Sequence, residues 1–232
     1  MEKNADSQSF LDKYLTPIAV LVGALILAGA FAFGNAGERR DTTASGEPQG
    51  TEVDINDVKT NTGPYVGSPD APVTMAVWFD FQCRFCKQFE NSTLTEVQQK
   101  YVDKGLVRIV YKDFQFLGPA SNDAALYSRA VWEAHPDRWN EWFAAMFADG
   151  SESTANLAAM NALSTSLGLD AARIEALMNA NEAAYQAAID TDRAEGQGFG
   201  VNGTPASIVG TTYINGAQPF AVVAAAIDAE LE

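Results

Sequence analysis

The chain has two cysteines, three positions apart, in the stretch Asp80-Phe81-Gln82-Cys83-Arg84-Phe85-Cys86-Lys87. Thiols at this spacing can clip a metal, close a structural disulfide, or open and close as a redox couple. A structural zinc site takes about four Cys or His ligands, and the chain offers only these two cysteines and the single His135. No metal site is expected. His135 stands before Pro136, where a helix should end, so it reads as a surface or capping residue rather than the base of a Cys–His pair. A bridge closing so short a loop removes little chain entropy, because that effect grows with loop length. A domain stapled by disulfides would also spread more cysteines along its chain. The residues therefore favour a pair that opens and closes, with no bound cofactor beyond the Cys83–Cys86 disulfide itself.

The neighbouring elements decide which thiol reacts. Residues 73–81, VTMAVWFDF, form a mostly apolar run with β-branched and aromatic members, as a strand buried on both faces requires. A helix is expected over 84–103, closing at Gly105, and a second strand over 106–112. Strand, helix and strand make a βαβ unit with a parallel pair and a right-handed crossover. Cys83 then lies where the strand ends and the helix begins. A thiolate there meets unpaired backbone N–H groups and the positive end of the helix dipole. Arg84 adjoins it and Lys87 follows one turn later. All three effects favour the anion, so the pKa of Cys83 should fall well below the free value of about 8.5. Cys86, one turn in and less exposed, is the resolving thiol, and Cys83 the attacking one. Asp80 and Lys112 are candidates for proton transfer, with surface or ion-pair roles as the alternative.

A helical stretch comes next. Ser121 or Asn122 can cap a helix to 134, and Asp137 a second to 148, stopped by Asp149-Gly150. A third is expected over 154–167, a short fourth capped by Asp170, and a fifth capped by Asn181 and ending near Gly196. Trp132, Trp139, Trp142, Phe143, Met146 and Phe147 recur at helical spacing, as core or as the wall of a peptide groove. Residues 206–209 and 211–214 read as an antiparallel pair around Gly210, with a turn at Asn215-Gly216. From Pro219 a last helix places Val222, Val223, Ala226, Ile227 and Leu231 on one stripe. In Gly203-Thr204-Pro205, a proline opening a strand cannot donate to the sheet and is a candidate for a cis bond.

The N-terminal quarter is of another kind. After a short tail, 1–13, residues 14–33 run about twenty positions without a charge, enough to cross roughly 30 Å of hydrocarbon as a helix. An uncleaved anchor is the favoured reading, since a signal-peptide core is usually shorter; cleavage after the small residues beyond it is the alternative. Residues 34–62, rich in Gly, Ser, Thr and acids, are expected to be a flexible tether, and 63–232 the folded domain. A single N-terminal apolar segment implies that this domain is exported. The net charge of -15, with scattered Lys and Arg, argues against nucleic-acid binding.

Together, PDAPVTMAVWFDFQCRFCKQF, VYKDFQFLG and GFGVNGTPASIVGTTYINGAQPF resemble the DsbA-like branch of the thioredoxin superfamily, and more narrowly its membrane-tethered bacterial thiol:disulfide oxidoreductases. The resemblance covers the chain from about residue 61. It implies an α/β thioredoxin fold, β-α-β then β-β-α around a central mixed sheet, with an all-helical insertion at about 119–196. It matches Cys83 to the nucleophile, Cys86 to the resolving cysteine and Pro205 to a cis-proline facing the pair. Thr204 and Pro205 would then offer backbone to an extended substrate strand. Implied partners are exported proteins with free thiols or disulfides and a membrane redox partner, such as a quinone-linked reoxidant. The implied direction is dithiol oxidation, with reductase, isomerase or a non-catalytic peptide-binding module as alternatives. Two positions depart from the pattern. Arg84-Phe85 matches neither the thioredoxin nor the DsbA dipeptide, and Val77 stands where several relatives carry an acid.

Overall fold

In the computed structural model, which describes residues 53–148 and 156–232, the apolar runs assemble into one five-stranded mixed sheet. Its strands are β1 (Tyr65–Val66), β2 (Val73–Phe79), β3 (Val107–Asp113), β4 (Ala206–Val209) and β5 (Thr212–Asn215), in the order β1-β3-β2-β4-β5. β2 and β3 run parallel, with Val77 beside Tyr111 and Trp78 beside Lys112. β1 is antiparallel to β3, and β4 is antiparallel to both β2 and β5. Six of the seven β2 residues are buried, which fits a central strand covered on both faces.

The helices are α1 (Arg84–Phe89), α2 (Thr95–Lys100), α3 (Pro119–Ala134), α4 (Trp139–Phe147), α5 (Leu157–Ser166), α6 (Ala171–Gly198) and α7 (Phe220–Leu231). On one face of the sheet, Met75, Val77 and Phe79 pack with Phe89, Tyr111, Phe143 and Ile227 in the main core. On the other, Ala76 and Trp78 pack with Val53, Val58, Ala206 and Ile208. Trp78 Nε1 donates to Asp192 O at 3.0 Å, which binds α6 to that face. Gly196 allows the approach: a Cβ there would lie 2.6 Å from Trp78 Nε1. The tryptophans expected in the core, Trp139 and Trp142, are fully buried with Phe143, Met146 and Phe147, and Trp132 packs partly against them.

Several expectations from the sequence need correction. The helix after Cys83 is interrupted by a π turn, Glu90–Leu94, before α2, and a 3-10 turn, Val102–Lys104, then leads to left-handed Gly105 at φ 72°. β2 ends at Phe79, so Phe81 belongs to the loop. Ser121 does not cap α3, whose N-cap is Gly118, because the helix already starts at Pro119; its hydroxyl donates to Asp80 instead. Asp137 lies in a 3-10 turn, Pro136–Arg138, and α4 starts after it. Asn156 caps α5 by accepting from Ala159 N at 2.9 Å.

The two helices expected between 170 and 196 are one. Asp170 does cap it, accepting from Arg173 N, while Asn181 sits inside and donates to Tyr185 Oη at 3.3 Å. On α7, Val222 points outward and Ala224 takes a buried place.

The tether expectation also changes. Residues 53–62 belong to the folded domain. Ile55 N donates to Gly210 O at 2.8 Å, Lys59 N donates to Glu195 Oε1 at 2.9 Å, and Val53 and Val58 are buried. The apolar residues Val53, Ile55 and Val58 supply enough surface for the segment to settle on the sheet. The anchor at 14–33, the tether over 34–52, the stop at Asp149-Gly150 and the start of the third helix at 154 lie outside the described residues. Among the described residues, no helix is long and apolar enough to cross a membrane.

Candidate active site

β2 delivers the chain to the site and Asp80 holds the turn. The Asp80 side chain is fully buried. Its Oδ1 accepts from Gln82 N at 2.7 Å and from Ser121 Oγ at 2.6 Å. Its Oδ2 accepts from Phe116 N at 2.9 Å and Leu117 N at 3.1 Å. One carboxylate thus clamps the approach to Cys83, the loop after β3 and the start of α3. Both oxygens accept from neutral donors, so Asp80 is neither the surface residue nor the ion-pair member that stood as the alternative to proton transfer.

Cys83 is the N-cap of α1, with extended backbone at φ -81° and ψ 112°. Its Sγ donates to Thr204 O at 3.2 Å. The Cys86 thiol, by hydrogen bonding to Cys83, is the largest influence pulling the Cys83 pKa down, to about 6, against burial. The Thr204 side chain and the Cys86 and Phe85 N–H groups add to the lowering. Thr204 Oγ1 is buried and has no other partner, so it is free to turn its hydrogen to a thiolate. Cys86 is the opposite case. Burial first, then the neighbouring Cys83, pushes its pKa well above the usual thiol value. The pair therefore holds one thiol that ionises readily and one that keeps its proton.

The Thr204–Pro205 peptide bond is cis, and Pro205 O accepts from Gly216 N at 2.9 Å. The next residue, Ala206, pairs with Trp78 on β2, so the sheet itself brings this loop to the cysteines. Beside them runs a groove lined by Phe81, Cys83, Arg84, Lys87, Met146 and Phe147. The Arg84 guanidinium lies 4.5 Å from the centroid of the exposed Phe85 ring. Arg84 and Lys87, expected to tune Cys83, are not among the largest causes of its lowered pKa; local hydrogen bonds are.

Lys112 is elsewhere. It stands beside Trp78 and is fully buried. Its Nζ pairs with Asp192, lies 2.9 Å from Glu195 Oε2, and donates to Lys59 O at 3.0 Å. Arg129 extends the cluster to Asp113 and Asp192, at 2.7 and 2.6 Å. This is the ion-pair alternative, joining β3 to α6. His135 caps α3 and accepts from Asp170 N at 3.3 Å, as a capping residue would.

One group escaped the sequence reading. Glu90, in the π turn, is buried, and burial raises its pKa to about 7. Its Oε2 has no hydrogen-bond partner. It lines a small cavity with Val77, Cys86, Tyr111, Phe143 and Pro205. The signal was present, since Cys86, Phe89 and Glu90 stand at i, i+3 and i+4 and so share a helical face.

Comparison with known proteins gives the family and the fold. The thioredoxin family model matches residues 59–229. Disulfide bond formation protein D of Bacillus subtilis (strain 168) is 34% identical over 84 residues, 36% of this chain and 38% of that protein. That alignment thus spans little more than a third of the relative. The probable disulfide bond formation protein D of Bacillus anthracis is 25% identical over 223 residues, 93% of this chain and 94% of that protein. Among solved structures, oxidised BdbD from Bacillus subtilis superposes with a TM-score of 0.66 at 24% identity, covering 73% of this chain and 93% of that one. The thiol-disulfide exchange protein alpha-DsbA2 from Wolbachia pipientis gives 0.68 at 22% identity, covering 76% and 91%. At these identities the structural likeness establishes the fold.

Proposed function

This chain belongs to the thioredoxin family, and from that premise we propose that it is a thiol:disulfide oxidoreductase acting as a dithiol oxidase through Cys83 and Cys86. The observation that carries the proposal is the asymmetry of the pair: Cys83 pulled down to about 6 at a helix start, Cys86 buried and raised. A substrate thiolate attacks Cys83 Sγ of the Cys83–Cys86 disulfide, and Cys86 leaves with the electron pair of the S–S bond. A second substrate thiolate then attacks the substrate sulfur of the mixed disulfide. Cys83 departs as a stabilised thiolate, the substrate leaves as a disulfide, and two electrons remain on the enzyme dithiol. Stabilising that thiolate stabilises the reduced enzyme, which makes the disulfide the stronger oxidant.

The surroundings of the pair suit substrate binding. An extended segment bearing the reacting thiol fits alongside Thr204 and Pro205, adding backbone hydrogen bonds as a sheet edge does. Phe81, Met146 and Phe147 offer apolar contact to the residues next to that thiol, while Arg84 and Lys87 favour acidic ones. The redox group is the cysteine pair itself, with no separate cofactor. The apolar segment 14–33 would hold the domain on the outer side of a membrane, where exported proteins are the substrates. A membrane redox partner, such as a quinone-linked protein, would reoxidise the pair.

The test is the reduction potential of the full chain, equilibrated in glutathione buffers. A value close to about -120 mV supports the oxidase, and one close to about -270 mV makes the chain a reductase instead. Absence of exchange would favour a peptide-binding module whose cysteines do not turn over.

A further inference from the structure

Disulfide exchange at this pair has a proton problem. When a thiolate attacks Cys83, the leaving Cys86 sulfur is buried in apolar surroundings that disfavour its anion. In the reverse direction Cys86 must shed a proton before it can attack. Neither ionisable group suggested by the sequence is available: Asp80 gives both oxygens to four donors, and Lys112 is locked to Asp192 and Glu195.

We propose that Glu90 is the proton-transfer group for Cys86, giving a proton to the sulfur as it leaves and taking it back when Cys86 attacks. The inference rests on the exchange reaction proposed above.

Three observations carry it. Glu90 and Cys86 are consecutive turns of one helix, Glu90 N bonding to Cys86 O, and both side chains line the same small cavity with Pro205. One carboxyl oxygen is unanswered there, Oε2 being buried and unpartnered, where a structural acid would be paired. The helix is also deformed at this residue. The π turn Glu90–Leu94 turns Glu90, Thr93 and Leu94 inward, and such turns recur at functional sites.

The groups facing Glu90 fit the role. Its own helix presents Cys86; β3 presents Tyr111, a titratable group held neutral by burial; β2 presents Val77 and Phe79; α4 presents Phe143 and Phe147. Among the described residues, no cation lines the cavity. Burial therefore acts without opposition and brings the acid to about 7, where it can both give and accept a proton near neutrality. The step balances. The S–S electron pair goes to Cys86, the proton passes from the Glu90 carboxyl to Cys86 through one water, and the carboxylate regains its proton from solvent. Val77 occupies a wall of the same cavity, so Glu90 supplies an acid to a site whose β2 strand carries none.

The test uses the full chain and its Glu90→Gln variant, each loaded with glutathione as a mixed disulfide on Cys83, with release of glutathione by Cys86 timed by rapid quench from pH 5 to 9. The wild type should rise with pH through an inflection close to 7 and then level off. The variant should lose that inflection and release glutathione about 100-fold more slowly at pH 7.5, within the usual contribution of a positioned acid or base. Glu90→Asp, which keeps the carboxyl, should restore the inflection. Equal rates and an unchanged pH profile in Glu90→Gln would overturn the role of Glu90 while leaving the exchange reaction intact. A wild type that forms no mixed disulfide with glutathione would overturn both readings.

Discussion

Cys83 Sγ meets Thr204 O at 3.2 Å, a contact between residues 121 positions apart. The contact exists because β4 lies antiparallel against β2, bringing the start of one strand to the end of the other. It places the Cys83 sulfur against the loop that carries the cis Thr204–Pro205 bond.

The first prediction concerns that sulfur. Iodoacetamide should alkylate Cys83 of the reduced protein with a midpoint near pH 6 and leave Cys86 unmodified. Thr204→Val, which removes the hydroxyl donor, should move the midpoint upward. The lowered pKa also stabilises the reduced fold. That contribution is fully present above the unfolded value of about 9 and is lost as pH falls through about 6. Chemical denaturation of the reduced protein at pH 5.5 and 8.5 would register the difference.

The division of labour between the thiols can be tested in cells. Cys86→Ser leaves the attacking thiol without its resolver, so mixed disulfides should accumulate and appear as reducible adducts on non-reducing gels. Cys83→Ser should form none. Adducts in Cys83→Ser at the level of Cys86→Ser would reverse the assignment.

Glu90 has a cost in stability whatever its part in exchange. Its pKa is raised from 4.5 unfolded to about 7 folded. The fold is therefore favoured below about 4.5 and loses that contribution as pH rises through 7. Glu90→Gln should consequently be more stable than the wild type at pH 8.5, by up to about 3 kcal/mol, and nearly equal to it at pH 4.5. Urea unfolding at the two pH values tests this.

Lys112 should behave as a structural ion. Lys112→Met leaves Asp192 and Glu195 buried with less countercharge, a loss of about 3–5 kcal/mol by analogy with other broken buried pairs. The alkylation midpoint of Cys83 in the folded variant should not move. A shifted midpoint would mean that Lys112 acts on the cysteines after all.

Sequence alone determined the features that depend on local order. The Cys83–Cys86 spacing, the apolar runs of β2 and β3, and the proline after Thr204 each carry their meaning within a few residues. They suffice for a thioredoxin fold and a cysteine at a helix start. Capping by Asp170 was legible for the same reason, its side chain reaching only to Arg173 N. Tertiary structure decided the features that depend on distant partners. The two-residue β1 is a strand only because β3 offers it hydrogen bonds, and residues 53–58 settle only because Trp78 and Ala76 offer them an apolar face. The 170–198 stretch has cap-like residues in its middle, yet packing across its length keeps it one helix. Asp80 and Lys112 each had two local readings. Two carboxylates beside Lys112 give it the ion-pair role, while four neutral donors make Asp80 a buried clamp that neither local reading contained, and those partners lie up to 83 positions away in sequence. The same holds for Glu90. A glutamate on a helix is ordinarily solvated, and only the core around the π turn makes this one a buried acid beside Cys86.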